Sequence, residues 1–296
     1  MSGASGSHDP WGLGSPSGGR SQPALLAWGT QRLQGLEGAN GAQDARTLLE
    51  WAMGVDSLWS APVRVPATAA ERFRQGVAQR RHGTPLQHIV GRMWFRGLEL
   101  EARPGVFVVR PETEVLAGLA IESASAATGD APRVVDLCTG SGAIALAIAA
   151  EVPGARVTGV DISPEAVQLA RENADRLGLD VEFLEGDATA YGATGVDVVV
   201  SNPPYVPPRE MPTQREAQAD PALALEGGGE DGLVVPRGII TTAARVLAPG
   251  GTLLMEHSPS QAAALRALAR SEGFGDVGTE PDLTGADRFL RGKMGA

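Results

Sequence analysis

Hydrophobic positions along the chain change their period twice. Over residues 22–86 they recur at helical spacing. Leu25, Leu26, Trp28, Leu33 and Leu36 form one set, Leu48, Leu49, Trp51 and Ala52 a second, and Phe73 and Val77 sit four apart in a third. This predicts a small domain of four or five short helices. Residues 88–109, HIVGRMWFRGLELEARPGVFVV, are rich in β-formers, with turn signals at Gly97 and Pro104-Gly105. They predict a short hairpin, within 87–110, that links two domains. From 111 to 296 buried strands alternate with helices. RVVDLC (133–138), RVTGVD (156–161), VEFLEGD (181–187), VDVVVSN (196–202) and GTLLMEH (251–257) read as strands. Helices are expected over 142–152, 163–178, 233–248 and 260–272, with a closing strand pair at 274–279 and 287–293. Ser163 is a candidate N-cap, Pro164 suits the first helical position, and Gly178 can supply a left-handed end. The alternation predicts an α/β fold, a doubly wound and mainly parallel sheet.

Composition supports this and removes several classes of function. Of 296 residues, 43% are hydrophobic and only 4% aromatic, so the core must be built from Val, Leu, Ile and Ala. Such a mix suits helices packed on a parallel sheet. Residues 1–21 are Gly-, Ser- and Pro-rich and are expected to be a disordered tail without a catalytic part. They lack an apolar run of secretory type, and no segment is long and apolar enough for a membrane span. The formal charge of −10 makes nucleic acid a poor partner, because phosphate contacts need Lys and Arg. The basic cluster Arg72, Arg74, Arg80, Arg81 and His82 reads as a solvated helix face. A single cysteine, Cys138, rules out an internal disulfide and a Cys-based zinc site, so no metal is expected. One thiol and no membrane signal fit a cytoplasmic protein.

Candidate chemistry sits at strand ends. Asp136-Leu-Cys-Thr-Gly-Ser-Gly142 joins a strand to a helix. Gly140 and Gly142 allow close backbone approach to a ligand at the helix N-terminus, and with Ala145 the spacing satisfies G-x-G-x-x-A. A tight βα turn that merely packs its helix has the same pattern. Asp161 ends the next strand about 20 residues later, where a carboxylate can accept from both ribose hydroxyls; it can also serve only as a capping residue before Ser163. Asp187 and Ala188 follow the third strand, placed either to border an adenine ring or to form a solvated turn.

Asn202-Pro203-Pro204-Tyr205 closes the fourth strand. The two prolines lack N–H donors and hold the chain extended, leaving carbonyls exposed and aimed. Asn202 offers a donor and an acceptor, and Tyr205 a flat face for a planar group. The carbonyls of Asn202 and Pro203 can each accept one N–H from a primary amide or exocyclic amine, turning the nitrogen's lone pair toward an incoming methyl. The competing reading is a strand terminator. Residues 206–232 lack periodicity and read as a lid or as disorder.

These residues resemble the HemK/PrmC family of peptide chain release factor glutamine methyltransferases. PLQHIVG (85–91), RPETE (110–114), DLCTGSGAIAL (136–146), VDISPEAVQLARENA (160–174), VSNPPYVP (200–207), GGEDG (228–232), LAPGG (247–251) and DLTGADRFLRG (282–292) carry the resemblance. It implies a class I S-adenosylmethionine-dependent methyltransferase with a Rossmann-like catalytic domain behind a helical substrate-recognition domain. The activity implied is methylation of the glutamine in the Gly-Gly-Gln motif of class I peptide chain release factors, giving N5-methylglutamine. S-adenosyl-L-methionine is then expected at Cys138, Thr139, Gly140, Ser141, Gly142, Asp161, Asp187, Ala188 and Asn202. The target amide is expected at Asn202, Pro203, Pro204 and Tyr205, with Asn202, Pro203 and Tyr205 catalytic. RPETE is expected to border the cofactor's methionine end. Cys138, Ala188 and MEHSPSQ (255–261) depart from the residues that relatives commonly carry. An adenine-N6 DNA or RNA methyltransferase shares the Asn-Pro-Pro-Tyr run but calls for a basic groove and a target-recognition insert, which the chain does not show. A nicotinamide oxidoreductase leaves that run without a role, and a non-catalytic binding module has no need of it.

Overall fold

The computed structural model describes residues 20–295 except 37, 128, 130 and 215. The disordered tail expected over 1–21 therefore lies outside the described residues apart from Arg20 and Ser21, and Ser21 caps the first helix.

The described residues fall into two compact units, those within 20–91 with those of 213–219, and those within 92–212 with those of 220–295. The first holds helices α1 (Gln22–Leu33), α2 (Gly41–Met53), α3 (Ala67–Arg81) and α4 (Leu86–Val90). Ser21 and Asn40 accept from backbone N–H groups in the first turns of α1 and α2, satisfying donors that a helix start leaves bare. Leu25, Leu33, Leu48, Leu49, Phe73 and Val77 meet in one core, as their spacing requires. The basic cluster on α3 is only partly a solvated face. Arg80 is buried and paired with Asp44 at 2.8 Å and Glu216 at 2.8 Å, a demand that its position on the inner face of α3 imposes.

The second unit opens with the hairpin β1 (Arg92–Phe95) and β2 (Leu98–Glu101). It is shorter than the 88–109 read from composition. Residues 88–90 finish α4, the turn is Arg96-Gly97 with φ of 46° and 79°, and Pro104-Gly105 lies beyond it. Helix α5 (Thr113–Ser125) follows. Then come β3 (Arg133–Leu137), α6 (Ala143–Glu151), β4 (Arg156–Asp161), α7 (Pro164–Leu177), β5 (Glu182–Glu185), β6 (Val196–Ser201), α8 (Val234–Val246), β7 (Leu247–Glu256), α9 (Ala262–Ser271), β8 (Phe274–Pro281) and β9 (Asp287–Met294). The sheet order is β5-β4-β3-β6-β7-β9-β8. The first five strands are parallel, and β9 and β8 close the edge antiparallel.

Alternation along the strands explains the layers. Val134, Val198, Val200 and Leu254 face a core with α5, α6 and α7, whereas Val135, Leu137, Val199, Leu253 and Met255 face one with α8 and α9. Strand order reverses between β3 and β6. In such sheets the crevice outside the carboxyl ends at the reversal is where ligands sit, and it lies here between residues 138–142 and 202–205.

Candidate active site

That crevice contains a cavity of about 250 Å³. Cys138, Thr139, Gly140, Ser141, Asp161, Asp187, Ala188, Asn202, Pro203, Pro204 and Tyr205 all line it, so residues 67 positions apart in sequence meet at one place. Gly142 does not line it. It takes φ of 82°, and a Cβ there would come within 3.0 Å of Phe183 and 3.1 Å of Ala170. Its left-handed turn leads the chain into α6 and lets that helix pack closely.

The glycine loop is held rigidly from beneath. Thr139 N donates to Val160 O at 3.0 Å, and its hydroxyl donates to Asp136 at 2.6 Å. Asn173 on α7 donates to the Ser141 carbonyl at 3.1 Å and accepts from Glu101 N at 2.7 Å, tying the loop to β2. Cys138 adopts φ of 64°, a left-handed conformation that glycine takes more readily. Burial, reinforced by Asp161 and Asp136, pushes its thiol pKa up, so the sulfur stays protonated. Asp136 is fully buried, and burial lifts its carboxyl to about 7 against the opposing Thr139 hydrogen bond.

Asp161 accepts from Gly140 N at 2.8 Å through one oxygen and from Ser163 N at 2.9 Å through the other. A carboxylate has about four acceptor positions, so capacity remains on the cavity side. Ser163 itself caps α7, accepting from Ala166 N, which leaves that task to the serine rather than to Asp161. Ile162 lines the cavity and is 54% exposed, an apolar face open to a flat ring. Asp187 caps a short 3-10 turn through Thr189, with buried Ala188 forming the wall.

Asn202-Pro203-Pro204-Tyr205 leaves the end of β6 directly opposite. Asn202 Nδ2 donates to Thr113 Oγ1 at 3.3 Å, and Thr113 donates to Glu256 Oε2 at 2.9 Å. Tyr205 donates its phenol to the second oxygen of Glu256 at 3.1 Å. Gln261 donates to the Tyr205 carbonyl at 2.8 Å. Burial raises the Glu256 pKa, opposed by the Thr113 and Tyr205 hydrogen bonds and the Arg288 charge. The Tyr205 phenol is pushed up by burial and by Glu256, so it is neutral at all working pH. Of the stretch 206–232, residues 206–212 and 220–232 belong to the unit that holds the site. Val206 N donates to Leu225 O, and Asp220 accepts from Val108 N and pairs with Arg110, placing Pro221 to Glu226 along the cavity wall.

A family model described as a methyltransferase domain matches residues 129–276, and one described as the PrmC N-terminal domain matches residues 24–91. A release factor glutamine methyltransferase of Deinococcus radiodurans is 41% identical over 273 residues, covering 91% of this chain and 97% of that one. Its counterpart in Streptomyces coelicolor is 43% identical over 276 residues, covering 90% and 95%. The chain belongs to the release factor glutamine methyltransferase family. The fold is also that of a T. thermophilus 16S rRNA N2 G1207 methyltransferase in complex with AdoMet and guanosine (TM-score 0.50, 24% identity, 69% of this chain and 49% of that one). Like other members of a methyltransferase family, this one uses S-adenosylmethionine. Its glycine loop, the spare acceptors of Asp161 and the apolar wall of Ile162 and Ala188 suit a ligand with a ribose and a flat ring.

Sequence reasoning did not single out Thr113 within RPETE, or Glu256, as the residues that brace the Asn-Pro-Pro-Tyr turn. Thr113 stands inside the RPETE run and Glu256 at the end of β7, the same edge of the sheet where the other site residues gather. A buried carboxylate at a strand's carboxyl end was the available signal.

Proposed function

We propose that this methyltransferase acts on the glutamine of the Gly-Gly-Gln motif of class I release factors, and that Asn202 and Pro203 hold the target amide. The observation that carries the reading is the shared cavity: the Asn-Pro-Pro-Tyr turn and the glycine loop face one space at the reversal of strand order. S-adenosylmethionine, when bound, supplies an electrophilic methyl on a sulfonium sulfur. The residues of the chain do the rest. Asn202 Oδ1 and the Pro203 carbonyl each accept one N–H of the target amide and so fix its plane. An amide nitrogen is a poor nucleophile because its lone pair is tied up by resonance. Two acceptors on its hydrogens raise electron density on nitrogen, and holding the reacting atoms in line contributes up to roughly 7–11 kcal/mol. Tyr205 offers its ring as a wall for the planar group. Cys138 to Ser141, Asp161, Asp187 and Ala188 hold the cofactor.

The release factor is the protein substrate on this reading. The helical unit of residues 22–86 serves recognition, the hairpin region 87–110 links it, and 111–296 carries catalysis. The net charge of −10 and the pairing of Arg80 with two acids support a protein partner over nucleic acid. Among the described residues no helix is long and apolar enough to cross a membrane. A cytoplasmic place of work follows from a substrate used in translation.

The test is mass spectrometry of a release factor after incubation with the enzyme and isotopically labelled cofactor. One added methyl on the Gly-Gly-Gln glutamine is expected, and none with Asn202→Ala. Label on nucleic acid and none on the protein would transfer the reading to an adenine methyltransferase.

A further inference from the structure

We infer that Glu256 is a positioning residue that decides which end of the Asn202 side-chain amide faces the substrate. The inference rests on the proposed role of Asn202 and asks what sets its orientation. An asparagine amide has an acceptor end and a donor end, nearly equal in shape. A target NH2 needs the acceptor end. Asn202 itself is half-buried, and flipping its amide alone costs no packing.

The polarity is set two residues away. Glu256, as a carboxylate, can only accept. It is 3% exposed and touches two hydroxyls, Thr113 at 2.9 Å and Tyr205 at 3.1 Å. Thr113 is fully buried, and its one hydroxyl proton is committed to Glu256. What remains toward Asn202 is a lone pair. At 3.3 Å that lone pair attracts Nδ2 and repels Oδ1. The amide nitrogen is therefore drawn to Thr113, and the oxygen is turned to the cavity. The other oxygen of Glu256 fixes the Tyr205 phenol, so one carboxylate sets both ends of the Asn-Pro-Pro-Tyr turn. Burial raises the Glu256 pKa, and the hydroxyls of Thr113 and Tyr205, with the charge of Arg288 that Asp282 holds at 3.4 Å, oppose that rise and favour the acceptor-only form.

This relay makes an unusual forecast for a near-isosteric change. In Glu256→Gln the new Nε2 can donate to Thr113 while Oε1 still accepts from Tyr205. Thr113 is then free to donate its proton to Asn202, and the Asn202 amide turns its NH2 toward the substrate. Every group in the network stays satisfied, so the fold and the cofactor site are kept, but the turn presents a donor where an acceptor is needed.

The experiment measures kcat and KM for release-factor methylation, the cofactor Kd and the thermal midpoint for the wild type, Glu256→Gln, Thr113→Val, Thr113→Ser and Asn202→Ala. Glu256→Gln is expected to lower kcat by about 10- to 100-fold, the cost of a misplaced contact in an active site. Its cofactor Kd and thermal midpoint should stay at wild-type values. Thr113→Val should lose kcat similarly. Thr113→Ser, which returns the hydroxyl, should recover most of what Thr113→Val loses. A folded Glu256→Gln with kcat within about threefold of wild type, well short of the loss expected for lost positioning, overturns the inference. So does a parallel loss of cofactor affinity and kcat, the mark of a merely structural residue. Should Glu256→Gln fail to fold, the Thr113 pair decides, and equal kcat in Val and Ser variants overturns it. If Asn202→Ala keeps wild-type kcat, the assignment of Asn202 fails instead, and the two failures are told apart.

Discussion

Asn173 offers the sharpest test of how the cofactor loop is held. Its side chain is fully buried on α7 and bridges the Glu101 and Ser141 backbones. The amide accepts from Glu101 N at 2.7 Å and donates to the Ser141 carbonyl at 3.1 Å, while a third contact, 3.5 Å to the Glu101 carbonyl, is too long to add much. Replacing it with Ala removes both good bonds. Losing such a bond with its partner left buried or partly buried costs about 1–2 kcal/mol, so losing both should cost about 2–4 kcal/mol. At roughly 2–4 °C per kcal/mol for a domain of this size, the thermal midpoint should fall by about 4–16 °C. Function should suffer as well, because the Ser141 backbone is part of the cavity wall. Cofactor affinity, measured by calorimetry below the lowered midpoint, should weaken. Asn173→Asp should not rescue it: the acid keeps the acceptor for Glu101 N but sets a second oxygen against the Ser141 carbonyl. A midpoint within 1 °C of wild type for the Ala variant, outside the range expected from two lost bonds, would refute the reasoning that this side chain anchors the loop.

Three further outcomes follow from buried groups. The raised carboxyl of Asp136 binds its proton more tightly folded than unfolded, so its contribution to stability is complete below about 3.8 and is lost as pH rises through about 7. That rise corresponds to roughly 4 kcal/mol, and urea unfolding should show Asp136→Asn gaining on the wild type between pH 5 and pH 8; parallel curves would contradict this. The Cys138 thiol, raised by burial, should react with iodoacetamide at pH 8 at least about tenfold more slowly than free cysteine, followed by intact mass; an equal rate would contradict the buried thiol. In the helical unit, Asp44→Ala leaves Arg80 buried with Glu216 as its remaining acid and should cost about 3 kcal/mol in urea unfolding, with a loss under 1 kcal/mol counting against the pair.

Strands β3, β6 and the second half of β7 were legible because each carries a short run of Val or Leu, and a parallel sheet buries both faces. The cap residues Ser163 and Gly178 fell where their chemistry places them, at the two ends of α7. Helix α5 was not legible. Its buried face is Leu116, Ala117, Ala120 and Ala124, and alanine gives too weak a hydrophobic signal to mark a stripe. The 206–232 stretch was ambiguous because the backbone hydrogen bonds and the Asp220 latch that hold its described parts leave no period in the sequence. At the site, the glycine loop and the Asn-Pro-Pro-Tyr turn could be read because each is contiguous. The Thr113, Tyr205 and Glu256 network could not, since it joins residues up to 143 positions apart through hydroxyl geometry. At Gly142 the structure adds what spacing alone does not give, a left-handed turn packed closely against Phe183 and Ala170.

The most direct measurement is a crystal structure with S-adenosylhomocysteine and a peptide bearing the Gly-Gly-Gln sequence. The glutamine amide nitrogen is expected about 3 Å from both Asn202 Oδ1 and the Pro203 carbonyl, its free face turned to the sulfur. A bound glutamine whose NH2 group meets neither oxygen, or a sulfur placed away from the end of β6, would contradict it.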